Sequence, residues 1–215
     1  RGGIYLFPMI IYDGMLKYAN FSPDILQNIE NRIGLQLQDV EDEERKENGF
    51  LAIDLIDYIY AVLHSVTYRD TYHDFLQNDF PTIPYPASAE YFFKMAEFGK
   101  RLRYLHELKG IDRKDLITTY PVIGEKDNNV VLIHKFEETN EGIGRVWINK
   151  EQYFDGVPLE AWNMIIAGYQ PLEKWLKDRK DKHLTSDEII HYQKMVVALV
   201  KTIRTQEKID EIIEL

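Results

Sequence analysis

Residues 116–154 read LITTYPVIGEKDNNVVLIHKFEETNEGIGRVWINKEQYF, and this stretch decides the fold class. Three segments in it, ITTYPVI, VVLIHKF and GRVWINK, are rich in β-branched and aromatic residues. EKDNN (125–129) and ETNEGIG (138–144) separate them with turn-forming residues, so the pattern predicts a small antiparallel sheet. The spacing on both sides is helical. The chain is therefore expected to be α+β, with a helical half over about 1–115 and a sheet-containing half over about 116–215 that ends in a long helix. No linker rich in Ser, Gly or Pro divides the halves, and 1–215 is read as a single domain.

Working toward the N-terminus, LAIDLIDYIYAVL (51–63) is apolar around most of a helix's circumference and belongs at the centre of a core. Ser88 opens a long helix to near Gly110, with Phe92, Met95, Gly99, Leu102 and Leu105 on one face. FPTIPYP between them cannot be helical, because proline removes donors and forces its predecessor to extend. Residues 4–12 predict a strand closed by Asp13-Gly14, Ser22-Pro23 opens a short helix stopping near Gly34, and 36–49 is a polar loop. A further short helix is expected over 68–76. Toward the C-terminus, the strand pattern runs to Phe154, a short apolar run to Ala167 follows Gly156-Val-Pro158, Pro171 opens a helix to Lys180, and Thr185 with Glu188 forms a capping box for the last helix. Ile189, Val196, Leu199 and Ile203 mark the buried stripe of that helix.

Composition removes several chemistries. There are no cysteines, which excludes disulfides, thiolate zinc sites and a cysteine nucleophile. No apolar run reaches the roughly 20 residues needed to span a bilayer, so a soluble, cytoplasmic chain is expected. The first residue is Arg1, which suggests a piece of something longer. Net charge is −10, from 26 Lys and Arg against 36 Asp and Glu, an unfavourable total for a generic phosphate binder. The cations are nevertheless clustered: 94–114 holds seven against three acids, and 174–182 holds five against two. A local basic face on an acidic body follows.

Candidate active sites are few. His64 and His106 fall at ordinary helical positions and read as structural. Asp24 and Glu44-Arg45-Lys46 have the residue types of a Mg-dependent nuclease, but Asp24 suits a helix's first turn and Glu44 a polar loop. Gly142 and Gly144 lie between strands, where turn geometry explains them. The sequence contains neither a Gly-rich cofactor loop nor an Asn-Pro-Pro-Tyr motif of the kind that holds a flipped adenine, so no catalytic residue and no metal ligand is assigned. What remains is GYQPLEKWLKDRK (168–180). Tyr169 and Gln170 are types that meet phosphates or base edges, and Lys174, Lys177, Arg179 and Lys180 follow on the helix. A solvated basic helix around a core tryptophan explains the same residues.

Three segments carry a resemblance. They are YIYAVLHSVTYRDTYHDFLQNDFPTIPYP (58–86), AEYFFKMAEFGKRLRYLHELKG (89–110) and the run from GRVWINKEQYFDG to MVVALVKTI (144–203). Together they are similar to the C-terminal specificity region of type ISP restriction-modification enzymes and of related single-chain adenine-specific methyltransferase-endonucleases. The resemblance implies that double-stranded DNA is the partner, with a methyltransferase domain of the same parent chain beside this region. It implies S-adenosylmethionine and Mg for the parent and no cofactor in this segment. The resemblance does not say which residues touch bases; the pattern of strands and charge is read as base readout on the strand-rich region 116–150 and phosphate contacts on the basic helices. The expected DNA-binding set is Tyr169, Gln170, Lys174, Lys177, Arg179, Lys180, Arg101 and Arg103. The alternative is a coupler that docks against the methyltransferase domain and contacts DNA little.

Overall fold

The long apolar helix and the long capped helices form where the sequence places them. In the computed structural model, which describes residues 6–121, 128–166 and 168–215, the elements run β1 Ile10–Asp13, β2 Leu16–Ala19, α1 Pro23–Ile33, β3 Gln36–Leu37, β4 Gly49–Phe50, α2 Ala52–His64, α3 Val66–Thr71, α4 His73–Leu76 and α5 Ala89–His106. Then follow β5 Lys135–Asn140, β6 Ile143–Trp147, β7 Tyr153–Pro158, α6 Leu159–Asn163, α7 Pro171–Lys177 and α8 Ser186–Asp210. The chain divides into two compact units, one of Arg1–Arg103 with Thr205–Leu215 and the other of Tyr104–Arg204. Both boundaries fall inside helices, α5 and α8, whereas the sequence pattern changes at 115/116.

The first unit is built on α2. Leu55, Tyr58, Ala61 and Val62 are buried together with Phe92, Met95 and Leu102 of α5. α2 and α5 approach so closely that a Cβ on Gly99 would lie 1.7 Å from the Asp57 carbonyl oxygen, which is why glycine sits there. Two buried tyrosines hold the proline-rich segment in place: Tyr58 donates to the Pro84 carbonyl and Tyr68 to the Thr82 carbonyl, each at 2.9 Å. Proline supplies no backbone donor, so such side-chain anchors substitute for regular pairing. The 36–49 loop is closed by a two-residue parallel pair, Gln36 opposite Gly49, and by Gln38, whose amide accepts from Lys46 N and donates to the Glu44 carbonyl. The expected strand over 4–12 is shorter, beginning at Ile10 after Pro8, and residues 1–5 lie outside the described residues. Its partner β2, which the sequence reading did not anticipate, pairs antiparallel with it across Gly14 at φ 60°.

The second unit holds the three-stranded sheet in the order β5-β6-β7, antiparallel throughout. The third strand is not ITTYPVI as expected. Among its described residues only Thr119 pairs, in an isolated bridge to Asp155, and Pro121 has no donor to continue it. Residues 122–127, which include most of the expected EKDNN turn, lie outside the described residues. Gly156, at φ 79°, is absorbed by a register shift between β6 and β7, so the third strand runs through Tyr153–Pro158, past the expected end of the strand pattern at Phe154. VVLIHKF is strand only from Lys135, since Val130 and Val131 instead bond to the 181–183 turn. Val146, Ile148, Phe154 and Val157 face a core completed by Leu172 and Leu176 of α7 and by Tyr192, Val196 and Leu199 of α8. The capping box forms: Glu188 N donates to Thr185 Oγ1 at 3.2 Å, and Thr185 N to Glu188 Oε2 at 3.0 Å.

Candidate nucleic-acid interface

α7 is short because its last turn is used for a bend. It ends at Lys177 instead of Lys180, and Asp181 turns the chain with φ 63°. Leu172 and Leu176 point into the core, and Trp175 packs against Tyr192 and His191 of α8. With those positions committed, Lys174 and Lys177 face water. Lys174 pairs with Asp178, and Lys177 with Glu173 at 2.8 Å, both one helical turn apart. Exposed pairs of this kind contribute only about 0.3–0.5 kcal/mol, so a phosphate displaces the carboxylate at little cost.

Four of the expected residues share one cleft. Ile165, Gly168, Tyr169, Gln170, Glu173, Lys174 and Lys177 line a depression of about 390 Å³. Its rim is set by Ile166 and Tyr169, which exchange both backbone hydrogen bonds (2.8 and 3.0 Å), with Gly168 at φ 82° between them. The Tyr169 side chain is thereby left largely in solvent beside the two lysines. Lys180 and Lys182, in the turn after α7, are exposed and make no ion pair among the described residues.

The expected arginines behave differently. The Arg179 guanidinium lies 3.6 Å from the Trp175 ring centre, its Nε donates to Glu188 at 3.0 Å and its Nη1 to the Trp175 carbonyl at 3.3 Å. The Thr185 backbone N–H and Arg179 together hold the Glu188 carboxyl below the ordinary carboxylate range. Burial, then the Arg179 charge, pushes His191 toward its neutral form. In the first unit, Arg103 forms a two-pronged bond to Asp57, 2.7 and 2.9 Å, with Asp57 only 2% exposed. Both arginines thus serve the fold, whereas Arg101 is exposed on α5. Asp24 is exposed in the first turn of α1 and Glu44 in the loop before β4. Among the described residues no three His, Asp or Glu side chains gather as a metal would require. His64 Nδ1 lies 2.8 Å from the Tyr60 carbonyl and His106 Nε2 3.1 Å from Thr202 Oγ1, both packing roles.

The outer face of the sheet was missed as individual residues, although its signal is present. In GRVWIN, Arg145 and Trp147 alternate with the inward Val146 and Ile148. Arg145 stands in register between Glu137 on β5 and Asp155 on β7. Its Nε donates to Asp155 Oδ1 at 3.1 Å, and its guanidinium lies 4.5 Å over the Tyr153 ring. Trp147 packs on the same ring and donates through Nε1 to Glu137 Oε2 at 2.6 Å.

The family described as Type ISP C-terminal specificity domain matches residues 1–215. The fold is similar to that in a cryoEM structure of a DrdV-DNA complex, with a TM-score of 0.65, 18% identity, and coverage of 96% of this chain and 21% of that one. It is also similar to the ATP-dependent Type ISP restriction-modification enzyme LlaBIII bound to DNA, with a TM-score of 0.60, 18% identity, and coverage of 93% of this chain and 12% of that one. A nuclease-deletion mutant of the Type ISP enzyme LlaGI in complex with a DNA substrate mimic gives a TM-score of 0.54 and 22% identity over 80% of this chain and 14% of that one. The chain therefore spans between 12% and 21% of the length of each of these chains. No curated protein matches it.

Proposed function

The chain belongs to the Type ISP C-terminal specificity domain family, and on that premise we propose that it recognises a target sequence in double-stranded DNA for a restriction-modification enzyme of the cytoplasm. The observation that carries the reading is the cleft in which Tyr169, Gln170, Lys174 and Lys177 converge. A body with net charge −10 repels the DNA backbone in general, so a local cluster of weakly paired lysines selects one face for the phosphates. Lys180 and Lys182 extend that face, with Arg101 as a separate exposed cation in the first unit. Arg103 and Arg179 are left out of the contact set because Arg103 is bound two-pronged to Asp57, and Arg179 is stacked on Trp175 and tied to Glu188 and the Trp175 carbonyl. Methyl transfer and cleavage belong to other domains of a longer protein, and with them S-adenosylmethionine and Mg.

Docking is a second role for the first unit, favoured by one observation. Leu6, Phe7, Met15 and Leu16, in and beside the β1–β2 hairpin, are largely exposed. Solvent-facing apolar side chains in such number mark a surface that another protein face covers, here the methyltransferase domain of the parent. The decisive experiment for recognition is competitive selection from a pool of random duplexes by the 215-residue chain at low salt. A short enriched sequence is expected, bound less tightly as salt rises. Binding without any sequence preference would overturn the reading.

A further inference from the structure

We infer that Arg145 reads a guanine of the target, its two Nη atoms donating to O6 and N7 in the major groove. The inference rests on the proposal that the second unit binds duplex DNA, and it assigns one base contact within that role. Three features of the sheet carry it.

The first is that Arg145 is held but not used up. Its Nε is anchored to Asp155 and its plane is stacked over Tyr153, while its Nη atoms donate to nothing among the described residues. An arginine fixed at one end by stacking and one hydrogen bond has already lost much of the rotamer freedom that binding would otherwise cost. The remaining fork has the spacing of the guanine O6/N7 edge. The second feature is charge. Glu137 and Asp155 flank Arg145 in register on both neighbouring strands, so the net field at the guanidinium is negative. Phosphate is repelled from such a site, whereas a neutral base edge that offers two acceptors is not. The lysines of α7, exposed and flexible, are the opposite case. The third feature is shape. β5 is an edge strand exposed along nearly its whole length, and β5–β6 end in a tight turn at Glu141-Gly142. A two-stranded ribbon of this kind fits the width of the major groove.

The test combines a change in the DNA with a change in the protein. In the preferred duplex, each guanine is replaced in turn by 7-deazaguanine, which removes N7 and leaves base pairing intact. Binding is then measured for the unmodified chain and for Arg145→Gln and Arg145→Lys. One guanine position is expected to lose affinity by about 5- to 150-fold for the unmodified chain. Both variants should show no loss at that position while keeping the other base preferences. Arg145→Lys retains the charge, so the same result in both variants assigns the effect to the fork and separates it from charge or folding. Three results would overturn the assignment: no guanine is sensitive, the variants remain as sensitive as the parent, or the variants weaken all duplexes equally as a phosphate contact would. A chain that ranks no duplex above another overturns the recognition reading itself, and the role of Arg145 with it.

Discussion

Arg103 in the first unit and Arg145 in the second each face an aspartate, and the two pairs serve different ends. The Arg103–Asp57 pair has two short bonds, and its carboxylate is almost wholly removed from water. The Arg145–Asp155 pair has one bond, and each partner is 37% exposed. A buried carboxylate needs its partner, because desolvation leaves an unpaired charge without compensation, whereas a surface pair contributes little and leaves donors for a ligand. Burial, more than residue type, decides which arginine holds the fold and which is available to bind.

The largest effect that this contrast implies is on stability. Asp57→Ala should destabilise the chain by about 3 kcal/mol, toward the lower end for a buried pair because Arg103 is itself 27% exposed. Asp155→Ala should cost no more than about 1 kcal/mol. Urea unfolding of the two variants tests this directly, and equal losses would remove the distinction between the pairs.

Arg179–Glu188 is intermediate, and its effect is the smallest. The Glu188 carboxyl is held below its usual range by the Thr185 backbone N–H and by Arg179, so it contributes stability that is present above its unfolded value of about 4.5 and lost as pH falls through the lowered folded value. With the side chain about a third exposed, solvent screening keeps the contribution to a fraction of a kcal/mol. Glu188→Gln should flatten the acid side of a stability profile measured between pH 6 and about pH 3. An unchanged profile would show that the capping carboxylate is not coupled to folding.

Local patterns in the sequence were reliable wherever one helix explained them. The apolar face of 51–63, Ser88 before α5, the Thr185–Glu188 box and the basic run that begins at Pro171 all correspond to observed elements. Pairing between segments distant in sequence was not legible. FDGVP has a glycine and a proline that argue against a strand, yet the β6–β7 register shift accommodates Gly156 and completes the sheet. Among the site residues, clustering of charge identified Lys174 and Lys177 correctly as exposed. It did not reveal that Arg103 and Arg179 are tied to Asp57 and Glu188, because those partners lie 46 and 9 residues away. The Glu137–Arg145–Asp155 row was hidden for the same reason, since it exists only once three strands are in register.

The claim that the α7 lysines position DNA while Arg145 reads it is tested most directly by side-by-side base-preference profiles of two variants. Lys174→Ala with Lys177→Ala is expected to lower affinity for every duplex by the same factor, to reduce the salt slope by roughly two charges, and to leave the ranking of sequences unchanged. Arg145→Gln is expected to keep the salt slope nearly constant and to lose preference at a single base position. A lysine pair whose removal reorders the preferred sequences, together with an Arg145 variant that retains them, would contradict the account.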